Sequence, residues 1–270
     1  MNKMTICLVS CLLLTSTSVF PQITPSSGAV YQEGFSYCEI TPFIASRIEG
    51  KSYRENPDIS LADLRYVRIK YIDFEGNEKD GELIVNRRIA RDTVEIFYQL
   101  YRHKYPLQEV SLIDDYGASD DRSMEANNTA AFNYRKITGS TSLSRHAYGM
   151  AIDINPLINP YVKGSTVLPA GGNVYAQRSA EKCTGKYASF MIQRGDFIYK
   201  LFMEHGFTWG GDWRSVKDYQ HFEKEEGLDL FCARLQRVLQ PGQQSGRRWR
   251  IDKGNSGSAA VAAGLPQDKS

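Results

Sequence analysis

The sequence predicts an α+β fold, and three observations support this class. Residues 64–72 are apolar, β-branched or aromatic at nearly every second position, which is typical of a strand. From Ile89 to Tyr101 the apolar side chains instead recur at helical spacing. Short segments of both kinds alternate along the chain, but without the regular spacing of parallel β-α-β units. We therefore expect short strands mixed with helices rather than a doubly wound parallel sheet.

The first predicted elements form a hairpin followed by a helix. Residues 75–77 carry a turn signal after the strand of residues 64–72, and residues 81–85 form the return strand. A helix then begins at Ile89, and a short strand is expected over 109–114.

In the second half of the chain, residues 150–155 alternate between apolar and polar side chains and predict a strand. Met150, Ile152 and Ile154 would face a core, and Asp153 would face the opposite side. A second helix is expected over 188–205.

Both ends of the chain differ in composition from the middle. Lys3, the apolar run 4–14 and the small residues 15–18 match a secretory signal peptide, which we assign to residues 1–20. The run is shorter than the roughly 20 apolar residues that span a bilayer, and no second long run exists. We expect an exported, periplasmic or secreted protein without a membrane span. Residues 8–11 loosely resemble a lipoprotein cleavage box, so lipid anchoring is the less favoured alternative.

The remaining residues divide into three predicted parts. An N-terminal extension covers 21–59, the main domain covers 60–239, and a tail rich in Gly, Ser, Ala and charge covers 240–270 and is expected to be disordered. The net charge of +2 argues against nucleic acid as a partner. No pattern fixes the oligomeric state, and we expect a monomer.

Removal of the signal peptide would leave three of the five cysteines, Cys38, Cys183 and Cys232. An exported protein could join two of them and leave one free, and the sequence does not choose the pair. Because no C-x-x-C spacing is present, a thiolate zinc site is disfavoured.

Four polar residues form a candidate metal constellation. His146, Asp153 and His221 supply two imidazoles and a carboxylate, which leaves a position open for water on a zinc ion. Asp218 lies three residues before His221, where a carboxylate can act as general base. The same ligand types also occur in two-His-one-carboxylate iron oxygenases. The other two of the four histidines fall in the last turns of predicted helices, where a cation suits the helix dipole: His103 and His205.

These motifs resemble the zinc D-alanyl-D-alanine carboxypeptidase family, which includes D-Ala-D-Ala dipeptidases and L-alanyl-D-glutamate endopeptidases. The pattern S-x-H-x-x-G-x-A-x-D is matched without a gap by residues 144–153, and [ED]-x-x-H is matched by 218–221. Residues 127–135 and 209–213 also look familial, so the resemblance covers roughly 60–225. Two glycines between two tryptophans in 209–213 indicate tight backbone beside a wall of the cleft.

The resemblance implies zinc ligation by His146, Asp153 and His221, with Asp218 as general base. It also implies an arginine, upstream of the first motif, that holds the substrate carbonyl. The matching place after residues 112–115 reads Tyr-Gly and holds no arginine. We therefore favour Arg122, the nearest basic residue, with Arg135 as the second candidate.

The implied fold is of the Hedgehog/DD-peptidase type, a small antiparallel sheet with helices packed on one side. The implied function is that of an exported zinc metallopeptidase acting on peptidoglycan stem peptides, as a D,D-carboxypeptidase or an L-Ala-D-Glu endopeptidase. The main alternative is a non-catalytic, metal-containing cell-wall-binding module of the same fold. An iron oxygenase would explain neither the export signal nor Asp218.

Overall fold

The structure is a computed structural model that describes residues 28–179 and 181–225. Antiparallel strands and helices build these residues, which confirms the predicted α+β class. The predicted signal peptide and the predicted C-terminal tail lie outside them. Within the described part of the chain, no helix is long and apolar enough to cross a membrane.

The largest sheet has four antiparallel strands in the order β1-β2-β3-β4. They are β1 (Gly28–Gln32), β2 (Phe35–Glu39), β3 (Leu64–Ile72) and β4 (Glu78–Asn86). The β3–β4 pair is the predicted hairpin, and its return strand is longer than the predicted 81–85. Strands β1 and β2 come from the expected N-terminal extension, so that segment contributes to the same sheet.

Four helices are present in the described residues. They are α1 (Pro42–Ile48), α2 (Ala90–Arg102), α3 (Asp120–Glu125) and α4 (Phe197–Glu204). Helix α2, the predicted helix, packs on the sheet through its buried face: Ala90, Thr93, Val94, Ile96, Phe97 and Leu100.

The helices cover both faces of the large sheet, and the expected one-sided packing is therefore wrong. Leu83 of β4 packs with α2, whereas the next residue, Ile84, packs in a second cluster with Ile44 and Ile48 of α1. Successive side chains of a strand point to opposite faces, so α1 and α2 lie on opposite sides.

Two expected elements differ from the structure. The strand predicted over 109–114 is only an isolated bridge from Glu109 to Asn128, followed by a 3₁₀ turn at Ile113–Tyr116. The apolar residues of this segment are buried. The segment does not pair with β4 as a strand, because the link is a single hydrogen bond from the Glu82 backbone N–H to the Val110 carbonyl oxygen. The helix predicted over 188–205 is shortened to α4, because Gly195 has a φ of +85° and Asp196 caps the helix start.

Two small sheets carry the candidate site. Strands β5 (Ala151–Asp153), β10 (His221–Glu223) and β8 (Thr208–Trp209) form one, in the order β5-β10-β8. The other has the order β7-β6-β9 and consists of β6 (Tyr161–Lys163), β7 (Thr166–Leu168) and β9 (Lys217–Asp218). The predicted strand at 150–155 is thus confirmed in its centre, and Met150, Ile152 and Ile154 are buried as expected.

The two cysteines in the described residues, Cys38 and Cys183, are both free. They are therefore not joined to each other. Cys232 lies outside the described residues.

Candidate metal centre

His146 is positioned by a short 3₁₀ turn, Arg145–Tyr148. The Ser144 hydroxyl begins this turn by accepting a hydrogen bond from the His146 backbone N–H at 3.3 Å. Gly149 ends it with a φ of +65°, and a Cβ there would lie 2.6 Å from the backbone nitrogen of Asn86. The serine and glycine of the first motif therefore fix the backbone conformation of the turn that positions His146.

Strand pairing brings the other two predicted ligands together. His221 begins β10, and its register partner on the antiparallel strand β5 is Asp153. Directly opposite residues of such a pair carry their side chains on the same face. This register explains how residues far apart in the sequence meet at one site.

The side chains of His146, Asp153 and His221 converge on one point. His146 Nε2 lies 3.1 Å from His221 Nδ1 and 3.2 Å from Asp153 Oδ2, and His221 Nδ1 lies 3.0 Å from Asp153 Oδ1. Such close donor atoms need a proton or a cation between them. The three residues therefore form a potential metal-binding group.

The outward-facing nitrogen of each imidazole is held by an oxygen. His146 Nδ1 contacts the Ala131 carbonyl oxygen at 2.5 Å, and His221 Nε2 contacts Glu223 Oε2 at 3.0 Å. This is the arrangement that orients metal-binding histidines in proteins. The donor set thus fits a metal held by His146 Nε2, His221 Nδ1 and the Asp153 carboxylate.

Glu223 is a site residue that the sequence patterns did not single out. It lies two residues after His221 on β10, so both side chains share one face of the strand. A carboxylate two positions after a candidate ligand in a strand is the signal that could have found it. Burial lowers the pKa of His221, but the contacts with Asp153 and Glu223 outweigh it and raise that pKa to about 10.

Asp218 lies beside the donor group on β9. Its partner across the strand pair is Tyr161, and Gly210 packs against it, since a Cβ on Gly210 would lie 2.8 Å from the Asp218 Cβ. Among the described residues, Asp218 Oδ1 is buried without a hydrogen-bond partner. Burial raises the pKa of Asp218 to about 6. This carboxyl group can therefore exchange a proton near neutral pH.

The glycine and tryptophan motif has the expected tight backbone, but its residues are not in the lining of the cleft that contains His146 and Asp153. A Cβ on Gly211 would lie 2.3 Å from the Trp209 indole, and the Trp209 Nε1–H donates to the Tyr219 carbonyl oxygen at 2.9 Å. The Trp213 ring lies 5.4 Å from the His221 ring, centroid to centroid. Aromatic surface therefore borders the donor group.

A small cleft with a volume of about 30 Å³ adjoins the donor group. Besides His146 and Asp153, its polar lining comprises Asp120, Ser123, Asn128, Asn133 and Arg135.

Residues 131–135 alternate between the cleft and the core, which brings Arg135 to the cleft. Ala131, Asn133 and Arg135 line the cleft, whereas Phe132 and Tyr134 pack in the cluster beneath α1. Alternation of this kind is typical of extended backbone.

Arg122, the arginine favoured from the sequence, does not line this cleft. Its Nε and Nη2 donate to the Tyr116 carbonyl oxygen at 2.8 and 2.6 Å. On α3 the cleft-lining residues Asp120, Ser123 and Met124 follow helical spacing i, i+3 and i+4. Arg122 is two positions from Asp120 and therefore points elsewhere.

The remaining histidines lie at helix ends, as expected. His103 Nδ1 contacts the Gln99 carbonyl oxygen, and His205 Nδ1 contacts that of Leu201, both at 2.9 Å. His205 also lies near Asp92 and Glu95, which makes a second group of potential ligands. There the Lys224 ammonium already supplies a cation, 2.8 Å from Asp92 Oδ2.

The fold and the site together define the class of protein, an α+β domain in which two imidazoles and a carboxylate converge beside a further carboxyl group. Among protein families, the model described as D-alanyl-D-alanine carboxypeptidase matches residues 138–224. The match confirms the resemblance predicted from the motifs and supports a peptidase. Comparisons with curated proteins and with solved structures gave no match.

Proposed function

We propose that the protein is a zinc metallopeptidase that hydrolyses peptide bonds of peptidoglycan stem peptides. The observation that carries this proposal is the convergence of His146 Nε2, His221 Nδ1 and the Asp153 carboxylate on one point, with Asp218 beside them. All four residues lie within the segment that matches a peptidase family.

The three donors would hold zinc and leave at least one coordination position for water or substrate. When bound, zinc polarises a carbonyl group and lowers the pKa of water to about 7. Ala131 and Glu223 keep the two imidazoles in the orientation that this requires.

Asp218 is the general base of the proposed reaction. Its carboxylate accepts a proton from the water whose oxygen attacks the carbonyl carbon of the scissile bond. It then returns this proton to the leaving amine nitrogen as the C–N bond breaks. Its buried Oδ1, which has no hydrogen-bond partner among the described residues, and its pKa of about 6 suit both steps.

Arg135 is the residue that we assign to the carbonyl oxygen. Arg135 lines the same cleft as His146 and Asp153. A fixed positive group there would stabilise the negative charge that develops on the oxygen during attack. Arg122 lies outside the cleft lining and is not assigned this role.

The family match and the expected export signal support this proposed substrate class. Stem peptides lie outside the cytoplasm, where a protein with residues 1–20 removed would act as a periplasmic or secreted enzyme. The bond is either the terminal D-Ala linkage or the internal L-Ala-D-Glu linkage.

The test is digestion of purified muropeptides by zinc-loaded protein, followed by mass spectrometry. We expect loss of terminal D-Ala or cleavage between L-Ala and D-Glu, and product formation about 10²- to 10⁴-fold slower in an Asp218→Ala variant that still binds zinc. If stoichiometric zinc is bound and neither product forms, the peptidase proposal fails and a non-catalytic cell-wall-binding module replaces it.

A further inference from the structure

An ion pair lies in the cleft wall, between Arg135 Nε and Asp120 Oδ2. Both residues line the same cleft as His146 and Asp153. The Arg135 Nη1 group also donates to the Lys136 carbonyl oxygen, at the long distance of 3.4 Å. Asp120 is thus the stronger of these two anchors of the guanidinium.

Asp120 is itself held in place from the opposite side. Its Oδ1 accepts a hydrogen bond from Asn133 Nδ2 at 3.1 Å. Asn133 is buried, and its backbone N–H donates to the His146 carbonyl oxygen at 3.2 Å. A continuous chain of contacts therefore ties the guanidinium to the turn that carries a proposed metal ligand.

The ion pair contributes little to stability, since the side chains of Arg135 and Asp120 keep 32% and 31% of their surface exposed. Orientation is the better explanation, because an oxyanion donor works only when it is fixed close to the developing charge. Asp120 uses one carboxylate oxygen for Arg135 and the other for Asn133, which limits how far the guanidinium can turn.

We infer that Asp120 is a positioning residue that holds Arg135 toward the scissile carbonyl. Asn133 in turn holds Asp120 through a hydrogen bond. The inference deepens the proposed peptidase function and rests on it. Asp120 does not touch the substrate carbonyl and acts through Arg135.

The decisive experiment is a double-mutant cycle with Asp120→Asn and Arg135→Lys, assayed on muropeptides. Asp120→Asn should lower kcat by about 10- to 100-fold through misplacement of the guanidinium, with KM and zinc content unchanged. Added to Arg135→Lys, it should cost nothing further. Full kcat in Asp120→Asn, or losses that multiply in the double variant, would overturn the inference.

Asp121→Asn is the matched control. Asp121 is the neighbouring residue on α3, and its side chain is exposed and does not line the cleft. Asp121→Asn removes one negative charge, as Asp120→Asn does, and should keep full activity. An equal loss of activity in Asp121→Asn would show that net charge rather than positioning is responsible, and would overturn the inference.

A second readout does not depend on turnover. The Nε–H vector of Arg135, observed by ¹⁵N relaxation, should be rigid in the wild type and mobile in Asp120→Asn. An unchanged order parameter would overturn the inference even in an active enzyme. If the wild type cleaves no stem peptide, the proposed function fails separately, and the NMR signal still decides whether Asp120 holds the guanidinium.

Discussion

At the scale of single residues, Glu223 determines which nitrogen of His221 is available to a metal. Its carboxylate occupies the Nε2 side at 3.0 Å, so Nδ1 faces Asp153 and His146. The two residues share one face of β10, and the strand geometry therefore places the Glu223 carboxylate against Nε2 and leaves Nδ1 toward the other two donors.

Replacing Glu223 should therefore weaken metal binding without removing a ligand. We expect Glu223→Gln to lower zinc affinity by about 10- to 100-fold, the usual cost of losing such a partner. Competition with a chromogenic chelator measures this. Glu225→Gln, at an exposed carboxylate two residues further on, is the control and should bind as the wild type does. Unchanged affinity in Glu223→Gln would mean that His221 is oriented by other contacts.

Asp218 should separate turnover from metal binding. Asp218→Ala is expected to keep its zinc and lose about 10²- to 10⁴-fold in kcat, the usual contribution of a general base. Zinc content and turnover, measured on the same preparation, test this. Loss of zinc from this variant, or cleavage at the wild-type rate, would contradict the assignment of Asp218 as the general base.

The same residue sets a pH dependence. Burial raises the pKa of Asp218 to about 6, and a base acts only when deprotonated, so kcat/KM should fall as the pH drops through this region. A cation held nearby would shift the limb to lower pH. A pH–rate profile measures it. An ascending limb well above pH 7 would assign the essential group to a residue other than Asp218.

At the scale of elements, side-chain periodicity predicted the elements whose buried residues recur at regular spacing. Strand β3 buries Val67, Ile69 and Tyr71 on the face that α2 covers, and α2 buries one helical face against it. These regular spacings can be recognised in the sequence. Residues 109–114 are buried as well, but by irregular backbone, so an apolar pattern there misled the prediction. Periodicity reports which side chains are buried and does not report whether a hydrogen-bonded ladder forms.

The turn that carries His146 depends on a glycine. Gly149→Ala should lower the free energy of unfolding by more than the about 1–3 kcal/mol of backbone strain, because a Cβ there meets the Asn86 backbone nitrogen at 2.6 Å. Gly139→Ala is a matched control, since Gly139 has a φ of +77° and open space around its Cβ position. Urea unfolding compares the two variants. Equal losses would show that the close contact with β4 is relieved without cost.

At the scale of the whole molecule, the sequence predicted which residues would form the candidate site but not how they are arranged in space. His146, Asp153 and His221 were predicted from motif spacing, and register and turn geometry bring them together. That Arg135 lines the cleft and Arg122 does not depends on the face of α3 and on the alternation of residues 131–135, which only the assembled structure shows. Contacts between distant elements leave no periodic signal in a single sequence.

The proposed metal would link elements from separate parts of the chain. His146 comes from a turn packed against the large sheet at Asn86, whereas Asp153 and His221 come from the small sheet β5-β10-β8. A cation that binds all three is bound only in the folded state. Metal binding should therefore stabilise the fold as a whole rather than one local turn.

This coupling predicts a metal-dependent melting temperature. At a free zinc concentration about 100 times the Kd, the folded state should gain about 2.7 kcal/mol, and the Tm should rise by several degrees over that of chelator-treated protein. Differential scanning calorimetry with and without zinc measures the shift. The double variant His146→Ala, His221→Ala removes two of the three donors and should show no shift. A zinc-dependent rise in Tm that persists in that variant would place the bound metal outside the group formed by His146, Asp153 and His221.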